Sequence, residues 1–195
     1  MIKNLELTTK LKEKIILGID PGTRVMGYGL ILVRGNAISV IQYGVLRLEK
    51  YASHELKLKK IFERIIQLID EYLPDEMAIE APFYGVNVQS MLKLGRAQGV
   101  AMAAALSKEI SIVEYLPKKV KQSVSGNGNA TKEQVAYMLE RLLNQKLETQ
   151  FLDATDALAV AVCHFMHAKT KALTGNNSKK KGWDAFLGEN PERIK

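Results

Sequence analysis

The sequence predicts an α/β domain built on a mixed five-stranded sheet with helices on both faces. Three observations lead there. Three consecutive runs rich in β-branched and aromatic residues occupy Ile15 to Leu48. A helical period follows over Ser53 to Tyr72, and short apolar runs then alternate with helical stretches. Consecutive strands joined by tight turns read as antiparallel, whereas strands separated by helices imply parallel neighbours covered on both sides.

The first run, Ile15 to Asp20 (IILGID), ends on a carboxylate and is broken by Pro21-Gly22-Thr23. Tyr28 to Val33 and Ala37 to Leu48 flank Arg34-Gly35-Asn36, which supplies a hairpin turn. Apolar Leu56, Ile61, Ile65, Leu68, Ile69 and Tyr72 then recur at three- and four-residue spacing ahead of Pro74, marking an amphipathic helix. Met77 to Glu80 (MAIE) repeats the layout of the first strand, again ending on an acid.

A loop from Pro82 to Asn87 carries Phe83 and Tyr84. Val88 to Ser107, rich in Ala and Gly, is helical and admits close approach of another helix or of a strand layer. Ile110 to Tyr115 is a strand, Pro117 opens a short helix, and Gly126 to Asn129 is a loop. Thr131 caps a helix to Leu143. Leu152 to Ala168 is the last helix of the body, with Ala157, Leu158, Val160, Ala161, Phe165 and Ala168 as core candidates.

The chain of 195 residues has room for one domain, and its 47% hydrophobic and 25% charged content excludes wholesale disorder, collagen-like repeats and disulfide scaffolds. A single cysteine, Cys163, forms no internal disulfide and reads as buried helix packing. Neither a leader-like apolar run in Met1 to Lys14 nor a membrane span is found, so a cytoplasmic protein is expected. The expected division is an extension over residues 1–14, a domain over 15–170 and a basic tail over 171–195 that includes Trp183.

The net charge of +7 is unevenly spread. Met91 to Lys132 holds seven basic residues (Lys93, Arg96, Lys108, Lys118, Lys119, Lys121 and Lys132) against Glu109 and Glu114. Such a patch serves either as a solvated surface or as a track for a polyanion, with nucleic acid the natural candidate.

The acids carry the chemistry. Asp20 and Glu80 each end a strand, where ligands bind in sheets of this kind. Asp153 and Asp156, three residues apart, share one face of a helix's first turn. Each pair alone has an ordinary explanation, as strand-end solvation or as a dipole-favoured helix start. Together they supply the hard oxygens that hold two Mg²⁺ ions for in-line phosphoryl displacement. Lys132 sits in a helix's first turn, where the dipole disfavours a cation, which hints at a functional reason. His164 and His167 follow on the last helix and read as packed or hydrogen-bonded residues rather than ligands.

ILGIDPGTRVMGYG, AIEAPFYGVN, LKLGRAQGVA, VKQSV with GNGNATKEQV, and DATDALAVAVCHF resemble, in order and spacing from Ile15 to His167, the successive motifs of the RuvC family of Holliday-junction resolvases. The resemblance implies a ribonuclease-H-like fold, a homodimer, and Mg²⁺-dependent paired nicking of four-way DNA junctions in recombination and repair, with Mn²⁺ as a possible substitute. A partnership with the RuvA–RuvB branch-migration complex is implied too. By motif position, Asp20, Glu80, Asp153 and Asp156 correspond to the metal-binding catalytic acids. Phe83 corresponds to an aromatic that stacks on a base, and Lys121 and Lys132 to basic residues facing the scissile DNA, with Lys118 and Lys119 beside them on the DNA track.

Residues 1–14 and the stretch after Ala168 fall outside the resemblance. Asp20-Pro21-Gly22-Thr23 is also similar to the phosphate-binding turn of actin-like ATPases, but those need two domains around a nucleotide. A non-catalytic junction-binding module and a nuclease for another structured nucleic acid are the remaining alternatives.

Overall fold

The computed structural model describes residues 13–82, 87–147 and 152–174, with the backbone alone for 171–174. At its centre lies β1 (Glu13–Asp20), paired antiparallel with β2 (Val25–Arg34) and parallel with β4 (Glu76–Glu80). Outside these run β3 (Ala37–Arg47), antiparallel to β2, and β5 (Ser111–Tyr115), parallel to β4, giving the order β3-β2-β1-β4-β5. The expected mixed sheet is thus present, antiparallel on one side of β1 and parallel on the other.

Gly35 and Asn36 form the β2–β3 turn, and positive φ occurs at Gly35 alone (61°), the requirement of a II′ rather than an I′ turn. Opposite Leu30 and Ile31 the β3 register steps from Gln42 to Val40, so Ile41 is an extra residue that bulges the outer strand.

Strand alternation divides the two faces. Leu17, Ile19, Met26, Tyr28, Leu30, Met77 and Ile79 enter one apolar core with α1 (His54–Tyr72) and α2 (Val88–Leu106). Burial of each large aliphatic side chain there contributes about 1.5 to 3 kcal/mol. The alternate residues Gly18, Gly27 and Gly29 face α5 (Leu152–Thr174) on the other side. A register slip of one residue would exchange the two sets, so the apolar pattern fixes the pairing.

Ser53 caps α1 by accepting the Leu56 N–H at 3.2 Å. The helix ends on Leu73, left-handed at φ 49°, just before Pro74. On the α5 side lie α3 (Pro117–Ser125), whose Ser123 hydroxyl is 3.3 Å from the Cys163 thiol, and α4 (Lys132–Leu143). From Ala157 to Cys163 every residue of α5 is buried, as a helix covered on all sides requires.

Several expected boundaries shift. β1 begins at Glu13, inside the stretch read as an extension, because Glu13 pairs in register with Arg34 and accepts from its guanidinium at 2.8 Å. α5 continues past Ala168 to Thr174, since the chain meets no helix breaker before Gly175. Leu56 is exposed in the first turn of α1, ahead of its buried stripe. Ala168 is exposed and Phe165 only half-buried. Residues 1–12 and 175–195, with Trp183, lie outside the described residues. The chain divides into two compact units, Met1–Phe165 and Met166–Lys195. In the second, the Thr170 hydroxyl donates to the Met166 carbonyl at 3.0 Å.

Candidate metal site

Asp20 and Glu80 are the last residues of adjacent parallel strands, one step beyond the Ile19–Ile79 pair. Both therefore leave the sheet at the same edge. Alternation turns Asp20 to the face covered by α5, and the approach of that helix is set by glycine. Gly27, the β2 partner of Asp20, lies directly beneath the Asp153 carbonyl, where any Cβ would overlap the oxygen. Gly18 stands in the same relation to the Ala157 carbonyl one turn along. The first turns of α5 thus press onto the strands, and carboxylate oxygens of Asp20, Asp153 and Asp156 come within 4.8 Å of one another. Glu80 stands beside this triple, close enough to interact electrostatically with Asp20 and Asp156.

A cation enters the cluster from α4. Lys132 Nζ pairs with Asp156 and lies 3.6 Å from Asp153. Its position at the start of α4 is held by a capping box: Thr131 Oγ1 accepts the Gln134 N–H at 3.3 Å, and Gln134 Oε1 accepts the Thr131 N–H at 3.0 Å. The preceding loop is clamped by Gln122, which donates to the Gly126 carbonyl at 2.8 Å and accepts the Gly128 N–H at 3.0 Å.

Burial raises the Asp20 carboxyl well above its ordinary range, reinforced by Glu80 and Asp156 and opposed by Lys132. Burial, then Asp156, lifts Glu80 to about 7 against the pull of Lys132 and Lys121. Asp156 is raised by burial too, although Lys132 opposes it. Burial works against the Lys132 ammonium, but Asp156, Asp153 and Asp20 outweigh it and raise its pKa. One lysine does not neutralise four acids. The hard oxygens of Asp20, Asp153 and Asp156 suit a divalent cation, which would relieve the repulsion.

Of the residues singled out in the sequence, Asp20, Glu80, Asp153, Asp156 and Lys132 come together. Lys121, half-buried on α3, acts electrostatically on Glu80 and Asp156, whereas Lys118 and Lys119 are exposed on the same helix. Phe83 lies outside the described residues, as does Tyr84. His164 is buried and hydrogen-bonded, not part of the acid cluster. Sequence reading missed the seating role of Gly18 and Gly27 and the loop clamp of Gln122. A signal existed for the first: Gly27 and Gly29 alternate with Met26, Tyr28 and Leu30, leaving that face of β2 without side chains at these two successive positions.

Sheet order, helix placement and the acids at the sheet's edge define a ribonuclease-H-like protein with an acidic candidate metal site. The family model described as crossover junction endodeoxyribonuclease RuvC matches residues 16–164. A crossover junction endodeoxyribonuclease RuvC of Cytophaga hutchinsonii is 60% identical over 187 residues, spanning 95% of this chain and 90% of that one. Its counterpart in Christiangramia forsetii is 58% identical over the whole of both chains. Among solved structures, Thermus thermophilus RuvC in complex with Holliday junction substrate superposes with a TM-score of 0.75 at 28% identity, covering 80% of this chain and 96% of that one. The chain belongs to the RuvC family of crossover junction endodeoxyribonucleases and is a nuclease, a hydrolase of phosphodiester bonds.

Proposed function

We propose that this chain resolves four-way DNA junctions in recombination and repair by symmetric, Mg²⁺-dependent nicking. The observation that carries the reading is the Asp20, Asp153 and Asp156 triple beside Glu80, with Lys132 among its oxygens. The likeness to a relative bound to Holliday junction substrate supports the choice of DNA.

Asp20, Glu80, Asp153 and Asp156 would hold the ions, and the raised carboxyls of Asp20, Glu80 and Asp156 are what a site built for added positive charge has without it. Two such ions, when bound, supply a hydroxide nucleophile at neutral pH and stabilise the leaving oxygen; Mn²⁺ has similar coordination. Lys132 presents an ammonium to the charge that develops on a phosphate at these acids, and Lys121 adds to the same positive potential. Lys118 and Lys119 bind the DNA backbone. Phe83 stacks on a base at the junction.

Two cuts placed symmetrically call for two sites, which a homodimer supplies. The outward face of α2 supports this. Ala97, Ala101, Ala104 and Ala105 are buried, whereas Val88 and Leu106 are 66% and 60% exposed, and a Cβ at Gly95 or Gly99 would meet open space. The nuclease domain, expected over residues 15–170, takes in Glu13 with β1 and lies between an N-terminal extension and a basic tail, in a cytoplasmic protein acting with the RuvA–RuvB branch-migration complex. Among the described residues no helix is long and apolar enough to cross a membrane.

The test is a mobile synthetic four-way junction with Mg²⁺. Paired nicks at symmetric positions are expected, along with their loss in Asp20→Asn, Glu80→Gln, Asp153→Asn and Asp156→Asn while junction binding persists. Normal cleavage by any one variant removes that residue from the site, and cleavage of linear duplex at the same rate overturns the substrate assignment.

A further inference from the structure

A second polar cluster lies two to three turns along α5 from the acids Asp153 and Asp156. His164 is 6% exposed, in a stretch of helix otherwise apolar from Ala157 to Cys163. Its Nε2 is 2.5 Å from Glu76 Oε2 on β4, and its Nδ1 is 2.9 Å from the Tyr115 hydroxyl on β5. The other Glu76 oxygen pairs with Lys14 on β1. Three elements therefore meet at one imidazole, and β1 joins them through Glu76.

The protonation states agree with one another. Burial, with Cys163 and Glu76, pushes the Tyr115 phenol up to about 12, so it keeps its proton. Burial opposes ionisation of Glu76, but Lys14 and His164 outweigh it and lower its pKa, leaving a carboxylate acceptor. Both ring nitrogens of His164 thus have hydrogen-bond partners, Nδ1 the Tyr115 hydroxyl and Nε2 the Glu76 carboxylate.

His164 follows Asp153 by eleven residues and Asp156 by eight, so at about 3.6 residues per turn all three share the sheet-facing stripe. Near the acids, the helix contacts the sheet through glycine backbone and methyl groups. Such contacts resist approach but do not specify rotation. Directional bonds fasten the stripe at His164.

We propose that the grip of Glu76 and Tyr115 on His164 fixes the rotation and register of α5, and thereby sets Asp153 and Asp156 against Asp20. His164 is on this account a positioning residue, acting through the helix. The proposal rests on the reading of those acids as metal ligands.

The experiment uses the full chain and four variants: His164→Leu, His164→Gln, Tyr115→Phe and Asp153→Asn. Mn²⁺ binding without DNA is followed by calorimetry, junction affinity is measured in chelator, and single-turnover cleavage is titrated with Mg²⁺. His164→Leu is expected to raise the Mn²⁺ midpoint about tenfold and to slow cleavage by up to about 100-fold, the cost of roughly 1 Å of misplacement. Junction affinity should stay within about twofold, since the backbone contacts that dominate it are untouched. His164→Gln, with an amide that donates to Glu76, should recover most of the loss, and Tyr115→Phe should fall between.

Parent-like metal binding and cleavage in His164→Leu overturn the proposal, as does a glutamine variant no better than leucine. Should His164→Leu fail to fold, Tyr115→Phe decides, and a parent-like Mn²⁺ midpoint there overturns it. Asp153→Asn separates the two failures. Parent-like Mn²⁺ binding in that variant sinks the metal reading and the proposal together, whereas lost binding there beside parent-like His164→Leu sinks the proposal alone.

Discussion

Gly27 lies beneath the carbonyl of Asp153, so close that the strand has no room there for a Cβ. The same glycine is the β2 partner of Asp20. One residue without a side chain thus sets the separation between the acid of β1 and the first acid of α5. Gly27→Ala is expected to push the start of α5 outward, at a cost to stability of about 1 to 3 kcal/mol typical of overpacking. Cleavage should fall by about 10- to 100-fold with junction affinity nearly unchanged. Urea unfolding beside single-turnover rates checks this, and parent-like cleavage would show that the helix adjusts without moving its acids.

Glu80 makes the stability of the metal-free protein depend on pH in an unusual direction. Its carboxyl is lifted from 4.5 to about 7, so between those values the folded chain holds a proton that the unfolded chain has released. Stability therefore falls as pH rises through this window. The shift corresponds to roughly 3 kcal/mol at full ionisation, and Asp20 and Asp156, also raised, act in the same sense. Urea unfolding of metal-free protein at pH 5 and pH 8 should show the loss. Glu80→Gln should reduce it and be more stable than the parent at pH 8. Equal pH dependence in parent and variant would remove Glu80 as a source.

The lysines should separate into two kinds. Lys132→Ala is expected to lower single-turnover cleavage about 100-fold or more while changing affinity little, as loss of a group serving developing charge does. Lys121→Ala should act in the same direction, more weakly. Lys118→Ala and Lys119→Ala should weaken binding and reduce its salt dependence by roughly one counterion each. If Lys132→Ala behaves like Lys118→Ala in both measurements, the ammonium is a track residue only.

Gly95 and Gly99 interrupt α2 at positions where a side chain would meet open space. A helix-interior glycine costs about 1 kcal/mol relative to alanine. In the proposed homodimer, Gly99→Leu should leave each protomer folded and weaken dimerisation by tenfold or more, seen by sedimentation as a dimer-to-monomer shift. Dimerisation equal to the parent's would exclude this face as the interface.

The periodic elements were legible in the sequence because their causes are local. The apolar runs of IILGID and MAIE, each closed by a carboxylate, the three- and four-residue spacing after Ser53, and the Thr131 N-cap each depend on residues within a few positions of one another. The strand-end acids Asp20 and Glu80 could be read for the same reason, and the resemblance of the motifs tied them to Asp153 and Asp156. What the tertiary structure alone decided is distance. That Gly27 meets Asp153, that Lys132 reaches the acids of a helix over twenty residues away, and that Glu76 and Tyr115 close on His164 depend on how α4 and α5 lie across the sheet. No local period records that placement. It follows from burying α5 on every side, with glycine permitting contact at one end of the sheet-facing stripe and directional hydrogen bonds fixing it at the other.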